Sequence, residues 1–192
     1  SSAASDVYKR QAHLDGLRIA GLKGLHLLLE QLTPHAQGEV FAVAALALRL
    51  GNESALETLY QHLHANPEGE AFLVAALGWL EWHEVSKLIE RDLSSTDAQR
   101  RRIALAAHAL HGKDPGPALL SALGHGNARV LAAAARLAGT LRRRDLLQPL
   151  RQHRLHGDDE VRFWSNWASA QMGDQEALGN LRLFAERFLI TH

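Results

Sequence analysis

Cysteine is absent from the 192 residues, which removes both a disulfide framework and a thiolate metal site. Proline is rare, at five residues, and the strand formers Val, Ile, Thr and Tyr are sparse beside Ala and Leu. Few helix breakers and few strand formers argue against a β-rich chain, and Ala and Leu are among the residues a helix accommodates at least cost. No stretch approaches 18 uninterrupted apolar residues, and no basic-then-apolar leader pattern stands before a small-residue cleavage site. An excess of one charge is lacking too, since 21 Lys and Arg balance 21 Asp and Glu. Neutrality gives no long-range pull toward nucleic acid or anionic membrane and leaves only local patches. The expectation is a soluble, cytoplasmic, all-α chain.

The opening eleven residues, SSAASDVYKRQ, match the translation of a common transposon-type sequencing adapter. Residues 1–11 are therefore expected to be a non-native tail, with native sequence from about Ala12 and its true start missing. An apolar run near the end (Leu183, Phe184, Phe188, Leu189, Ile190) suggests truncation there as well.

From Val40 onward the chain repeats itself. Segments starting at Val40, Ala71, Arg102, Val130 and Val161 each open with an apolar, mostly Ala-rich stretch, break at polar residues, and continue into a second apolar helix pattern. In those second helices Leu59, Ile89, Leu120, Leu150 and Leu181 recur at steps of 30, 31, 30 and 31. Three positions earlier stand Leu56, Ser86, Pro117, Leu147 and Leu178, which predicts an i, i+3 apolar stripe. Gly51, Gly112 and Gly173 follow first helices, where a left-handed residue can close the C-terminus. Asn52, Asp114 and Asp174 then stand where a helix cap belongs, with Asp114-Pro115 placed to open a first turn. Between units, Ser94–Asp97, Gly126-Asn127 and Gly157–Asp159 play the same part. The expected units are about 38–66, 67–95, 96–125, 126–156 and 157–190, within one domain over 12–192. A further helix, about Leu14 to Leu32, precedes them. Stacked pairs of this kind bury a continuous core that no single pair could bury alone.

Two units, ARVLAAAARLAGTLRRRDLLQPL and GDDEVRFWSNWASAQMGDQEALGNL, resemble HEAT repeats of the bacterial, lyase-type variety. Asn127 with Arg129, and Asp159 with Arg162, occupy positions that in HEAT repeats commonly link successive turns. The strings AHLDGLRIAG, GEVFAVAALALRLG, DPGPALLSAL, RRDLLQPLR and VRFW are similar to an uncharacterised bacterial HEAT-repeat family of about twice this length. That family is often encoded beside type VI secretion genes. The resemblance implies no catalytic residues.

Several constellations invite chemistry. Of the twelve histidines, His108/His111 and His153/His156 stand at i, i+3, while His62 and His64 at i, i+2 cannot share a helix face. With no Cys and no HExxH, helix-end or surface roles are the better reading, and no metal is assigned. Arg100–Arg102 and Arg142–Arg144 read as solvated helix ends, paired in part with Asp97, Asp145 or Glu160. Trp79/Trp82 and Trp164/Trp167 read as packing residues. Asp158-Asp159-Glu160 opens a helix, where acidic groups favour the dipole. No phosphate loop, nucleophile elbow or triad spacing is present, so no catalytic residue and no cofactor is assigned.

The fold expected is a right-handed, HEAT-like or armadillo-type α-solenoid of about five antiparallel helix pairs plus an N-terminal helix. First helices would form the convex side and second helices the concave side, the surface such arrays use for binding. The function expected is a non-catalytic scaffold or adaptor with a protein partner. The candidate contact residues are Glu57, Gln61, Lys87, Glu90, Arg91, Gln148, Arg151, Gln152 and Arg154. By resemblance, the other class is an enzyme of HEAT-like build, of the bilin-lyase or DNA-glycosylase type, or a nucleic-acid-binding solenoid; neutral charge weighs against nucleic acid.

Overall fold

The structure, a computed structural model, describes residues 21–33 and 37–190. The adapter-like tail and the beginning of the expected N-terminal helix lie outside them. Every regular element among the described residues is helical, and none is long and apolar enough to cross a membrane. The chain divides into two compact units, residues 1–87 and 88–192.

The first unit holds α1 (residues 21–30), α2 (Gln37–Leu50), α3 (Glu53–Ala65), a 3-10 turn (Pro67–Gly69), α4 (Glu70–Trp79) and the start of α5 (Trp82–Leu93). Helix α2 packs on both α3 and α4. Val40, Val43, Ala44, Ala47, Leu59, Leu63, Leu73 and Leu77 are buried there.

The second unit continues with α6 (Ala98–His111), α7 (Pro117–Leu123), α8 (Ala128–Thr140), a 3-10 turn (Arg144–Leu146), α9 (Leu147–Gln152), α10 (Asp159–Gln171) and α11 (Gln175–Ile190). Helix α8 packs against both α6 and α10. Its core joins Leu105, Leu119, Leu123, Val130, Leu137, Leu146, Leu150 and Met172. The small residues have a direct cause in this packing. A Cβ on Gly139 would stand 2.7 Å from the Ala168 Cα and 2.5 Å from a Trp167 ring carbon, so α8 and α10 can approach this closely only over glycine.

The breaks repeat with the same period as the helices. Gly51, Gly112 and Gly173 take left-handed backbone, at φ of 62°, 59° and 93°. Arg142 fills the equivalent place at φ 51°. In all four breaks the next residue's N–H reaches back five residues: Asn52 to Ala47, Lys113 to His108, Arg143 to Ala138 and Asp174 to Ser169, at 2.8–3.1 Å. Caps follow where expected, from Asn52, Asp97, Asn127, Asp158 and Asp174. Asp114 departs from expectation. It accepts from the Gly116 N–H at 2.8 Å, two residues short of the helix, because α7 begins at Pro117 behind a left-handed Gly116.

The leucine register also needs correcting. Leu59, Ile89 and Leu150 are buried and Leu181 half-buried, but Leu120 is 51% exposed and Leu119 is the buried residue. The late start of α7 moves its inward face one residue earlier. At i−3 Leu56 is buried and Leu147 half-buried, as the stripe predicts, but Leu178 is 41% exposed, and the i−4 positions Ala55, Val85, Leu146 and Ala177 are all buried. A spacing of four keeps a short helix's contacts on one line as well as three does, and the small Ala at two of those places hid it.

Candidate functional site

The sequence-predicted contact residues divide between the two units. Glu57 and Gln61 on α3 and Lys87 on α5 are exposed in the first; Glu90 and Arg91 on α5 and Gln148 and Gln152 on α9 are exposed in the second. Arg151 and Arg154 are committed within the fold. Arg151 donates to the Asp174 carboxylate at 2.8 Å, and Arg154, in the turn after α9, reaches Asp174 at 3.4 Å and Glu176 at 3.0 Å. Asp174 is buried and caps α11 through the N–H groups of Glu176 and Ala177. Burial alone would raise its pKa. The Arg151 hydrogen bond, the Ala177 N–H and the charges of Arg151 and Arg154 outweigh that and hold the carboxyl below the usual range.

One break earlier, Arg143 bridges Asp114, at 2.7 Å, and Asp145, at 2.6 Å. Asp145 and Asp114 keep the guanidinium charged, and Arg143 in turn lowers the Asp145 pKa. These contacts join successive repeats. Of the residues that the HEAT resemblance assigned to that linking, Asn127 caps α8 in its own repeat, while Arg162 pairs with Asp159 and also donates to the His156 carbonyl at the end of the preceding repeat.

The arrangement the sequence did not foretell is an aromatic band with a groove beside it. Trp167, Trp164, Phe163 and Phe184 form a continuous run of rings with centroids 5.4, 5.0 and 5.5 Å apart. Arg136 lies over Trp164 at 4.8 Å and Arg162 over Phe184 at 5.7 Å, so a guanidinium stacks on the band at two places. Trp164 and Trp167 pack in part on the core, as expected, but remain half-buried. Beside the band opens a groove of about 370 Å³, lined chiefly by Leu155, Phe163, Leu181, Leu183 and Phe184. Leu155 is 85% exposed and Leu183 62%. Two amides fix the groove floor. Asn166, itself buried, donates to the Arg154 and Arg162 carbonyls at 3.0 and 2.8 Å and accepts from Asn180 at 2.9 Å. No sequence spacing links Phe163 to Phe184, which sit on different helices.

The histidines serve the breaks. His125 and His156 each accept, through Nδ1, the N–H of the next cap residue, Asn127 and Asp158, at 3.0 Å. Ser95 does the same for Asp97 one repeat earlier. Among the described residues no group of three or more His, Asp or Glu is gathered as for a metal ion.

The helix pairs, the five-residue reach at each break and the recurring caps define a helical repeat protein. Residues 116–186 match the family model of HEAT repeats, and every residue lining the groove falls inside that segment. No curated protein matches the chain.

Proposed function

We propose that this protein is a non-catalytic scaffold or adaptor that binds another protein, built as a right-handed solenoid with its second helices on the concave side. HEAT repeats generally mediate protein–protein interaction. The observation that carries the reading is the apolar groove and its arginine-stacked aromatic band within the HEAT-matching segment. Buried-edge aromatics with arginine are the composition of binding hot spots, and a concave apolar face with a polar rim is what a partner surface needs. The exposed Gln148 and Gln152 on α9 are the nearest predicted contacts in sequence to Arg154 on the groove wall. A bacterial cytoplasmic setting beside a secretion machine rests on the family resemblance of the quoted strings. The test is affinity capture with the wild-type chain, a Leu183→Glu variant and a Gln148→Glu/Gln152→Glu variant. A stoichiometric partner weakened at least about tenfold by one of them supports the reading, since hot-spot losses exceed about 1.4 kcal/mol. A partner indifferent to both removes it.

One observation favours a second reading, an anion-binding face. The second unit carries 15 Lys and Arg against 11 Asp and Glu. Duplex DNA binding with a steep salt slope would support it; negligible binding at physiological salt is the outcome expected, because several arginines are already paired with acids of the same unit.

A further inference from the structure

Of the four left-handed breaks, three use glycine, at Gly51, Gly112 and Gly173, and the fourth holds Arg142 at φ 51°. A Cβ is disfavoured at that φ, so glycine would fill the place with less strain. The fold gains nothing visible from the arginine. Arg142 and Arg144 are both exposed, and among the described residues neither guanidinium makes a hydrogen bond or an ion pair. Strain held for a side chain the fold does not use points to a contact outside the chain. The residue between them is fully engaged. Arg143 sets Nε and Nη2 on the two oxygens of Asp145, at 2.8 and 2.6 Å, and Nη1 on both oxygens of Asp114, at 2.7 and 2.9 Å. Those bonds tie up Asp114 and Asp145. With the Leu146 N–H on the Arg143 carbonyl at 2.9 Å, they also fix the backbone that carries Arg142 and Arg144 before any ligand arrives.

We propose that the break between α8 and α9 is a docking edge for an acidic segment of a partner protein, in which Arg142 and Arg144 each take a carboxylate. A planar guanidinium matches a carboxylate fork to fork, as Arg143 already does with Asp145. Lys113, which occupies the place of Arg143 one repeat earlier, adds a further positive charge beside Asp114. A phosphodiester strand fits this edge less well. Asp114 and Asp145 keep 45% and 60% of their side chains exposed and so interrupt the row of cations. A strand charged at every step meets those aspartates, whereas a protein segment sets its acids only opposite the arginines. The inference rests on the scaffold reading, to which it adds where the partner is held and by what chemistry, and it makes no use of the groove.

Binding of a fluorescent hexaglutamate peptide to the full chain tests it, at about 0.1 M salt, where exposed charges act over about 10 Å. Arg142→Gly/Arg144→Gln should weaken binding at least about fivefold, the loss of two exposed ion pairs. Arg129→Gln/Arg182→Gln, which removes two exposed charges elsewhere in the same unit, should stay within about twofold of wild type. Arg142→Gly alone should bind the peptide less tightly while melting no lower than wild type, a pairing that a purely structural arginine would not give. Equal losses in the two double variants reduce the effect to net charge and overturn the proposal. So does an Arg142→Gly chain that loses stability and binding together, or a duplex oligonucleotide that displaces the peptide at equal charge concentration. A captured protein partner should be weakened by the Arg142→Gly/Arg144→Gln variant as well. A partner weakened by Leu183→Glu but indifferent to that variant overturns the docking edge and leaves the scaffold reading in place.

Discussion

The two units are built on one period and differ in surface chemistry. Both place a left-handed residue after a first helix and an Asx cap before the next, at Gly51-Asn52 in the first and Gly173-Asp174 in the second. Yet the first is acidic and the second basic by equal amounts. The first has an aromatic contact of Phe41 with Trp79 at 6.0 Å, with Arg49 stacked on the indole. The second has the four-ring band. Among the described residues, the groups whose pKa is displaced, His108, Arg143, Asp145, His153 and Asp174, all belong to the second. A neutral total thus says little about partners. Long-range electrostatics follow the charge of each compact unit, and here the sum conceals two opposite values.

The largest effect is expected from the shared feature, the buried stripe. Leu59→Ala in the first unit and Leu119→Ala in the second should each cost about 2–5 kcal/mol, since both side chains are fully buried and leave cavities. Leu120→Ala, next door and half in water, should cost no more than about 0.5 kcal/mol. Urea denaturation followed by circular dichroism gives all three. Equal costs at Leu119 and Leu120 would break the corrected register, and a small cost at Leu59 would break the equivalence of the units.

That register marks how far the sequence could be read. Helix pairs, breaks and caps were legible because each depends on neighbours in the chain: a glycine after an apolar run, an Asx before the next. Leu119 was missed because Leu119 and Leu120 are identical in kind, and only the start of α7 at Pro117 decides which faces inward. Arg151 and Arg154 read as surface residues on a second helix; their capture by Asp174 depends on a fold-back across 23 and 20 residues that no local pattern encodes. The groove lies further out of reach, since its floor and walls come from three elements and its amide pair joins α10 to α11.

A second, intermediate effect should separate the units by acidity. Burial pushes His108 below 6.5, against the opposing pull of the Lys113 carbonyl and of the Glu90 and Asp114 charges. Burial likewise lowers His153, although it donates to the Leu123 carbonyl. In both, the unfolded chain takes up a proton more readily than the folded one. Their contribution is fully present above pH 6.5 and is lost as pH falls through the folded values. Asp174 adds a further loss once pH drops below 3.8 and through its own lowered value. Amide NMR signals from residues 88–190 should therefore weaken at a higher pH than those from 37–87. His108→Gln should make the first part of that loss shallower. Simultaneous acid loss of both sets would show that the contrast between the units does not extend to their stability.

The smallest effect, and the sharpest on the comparison, concerns Arg142. Its φ of 51° is the same backbone state that Gly51 takes in the first unit at 62°, but an L-residue with a Cβ pays to hold it. The break at Arg142 keeps its full set of bonds, from the Arg142 N–H to Gly139 at 3.1 Å and from the Arg143 N–H to Ala138 at 3.0 Å, so the geometry is imposed by the repeat and not by the residue. The Arg142 side chain is exposed and its ion-pair neighbour Arg143 supplies the contacts to Asp114 and Asp145, so little is lost with it. Arg142→Gly should then stabilise the second unit by about 0.5–1 kcal/mol, after the added freedom of glycine in the unfolded chain is set against the relief. The converse change, Gly51→Arg in the first unit, should destabilise by a similar amount, because nothing lies within 4 Å of a Cβ there and strain alone decides. Melting curves of the two variants measure both. If Arg142→Gly destabilises, the arginine is stabilised by something other than the break geometry, and the four breaks are not equivalent.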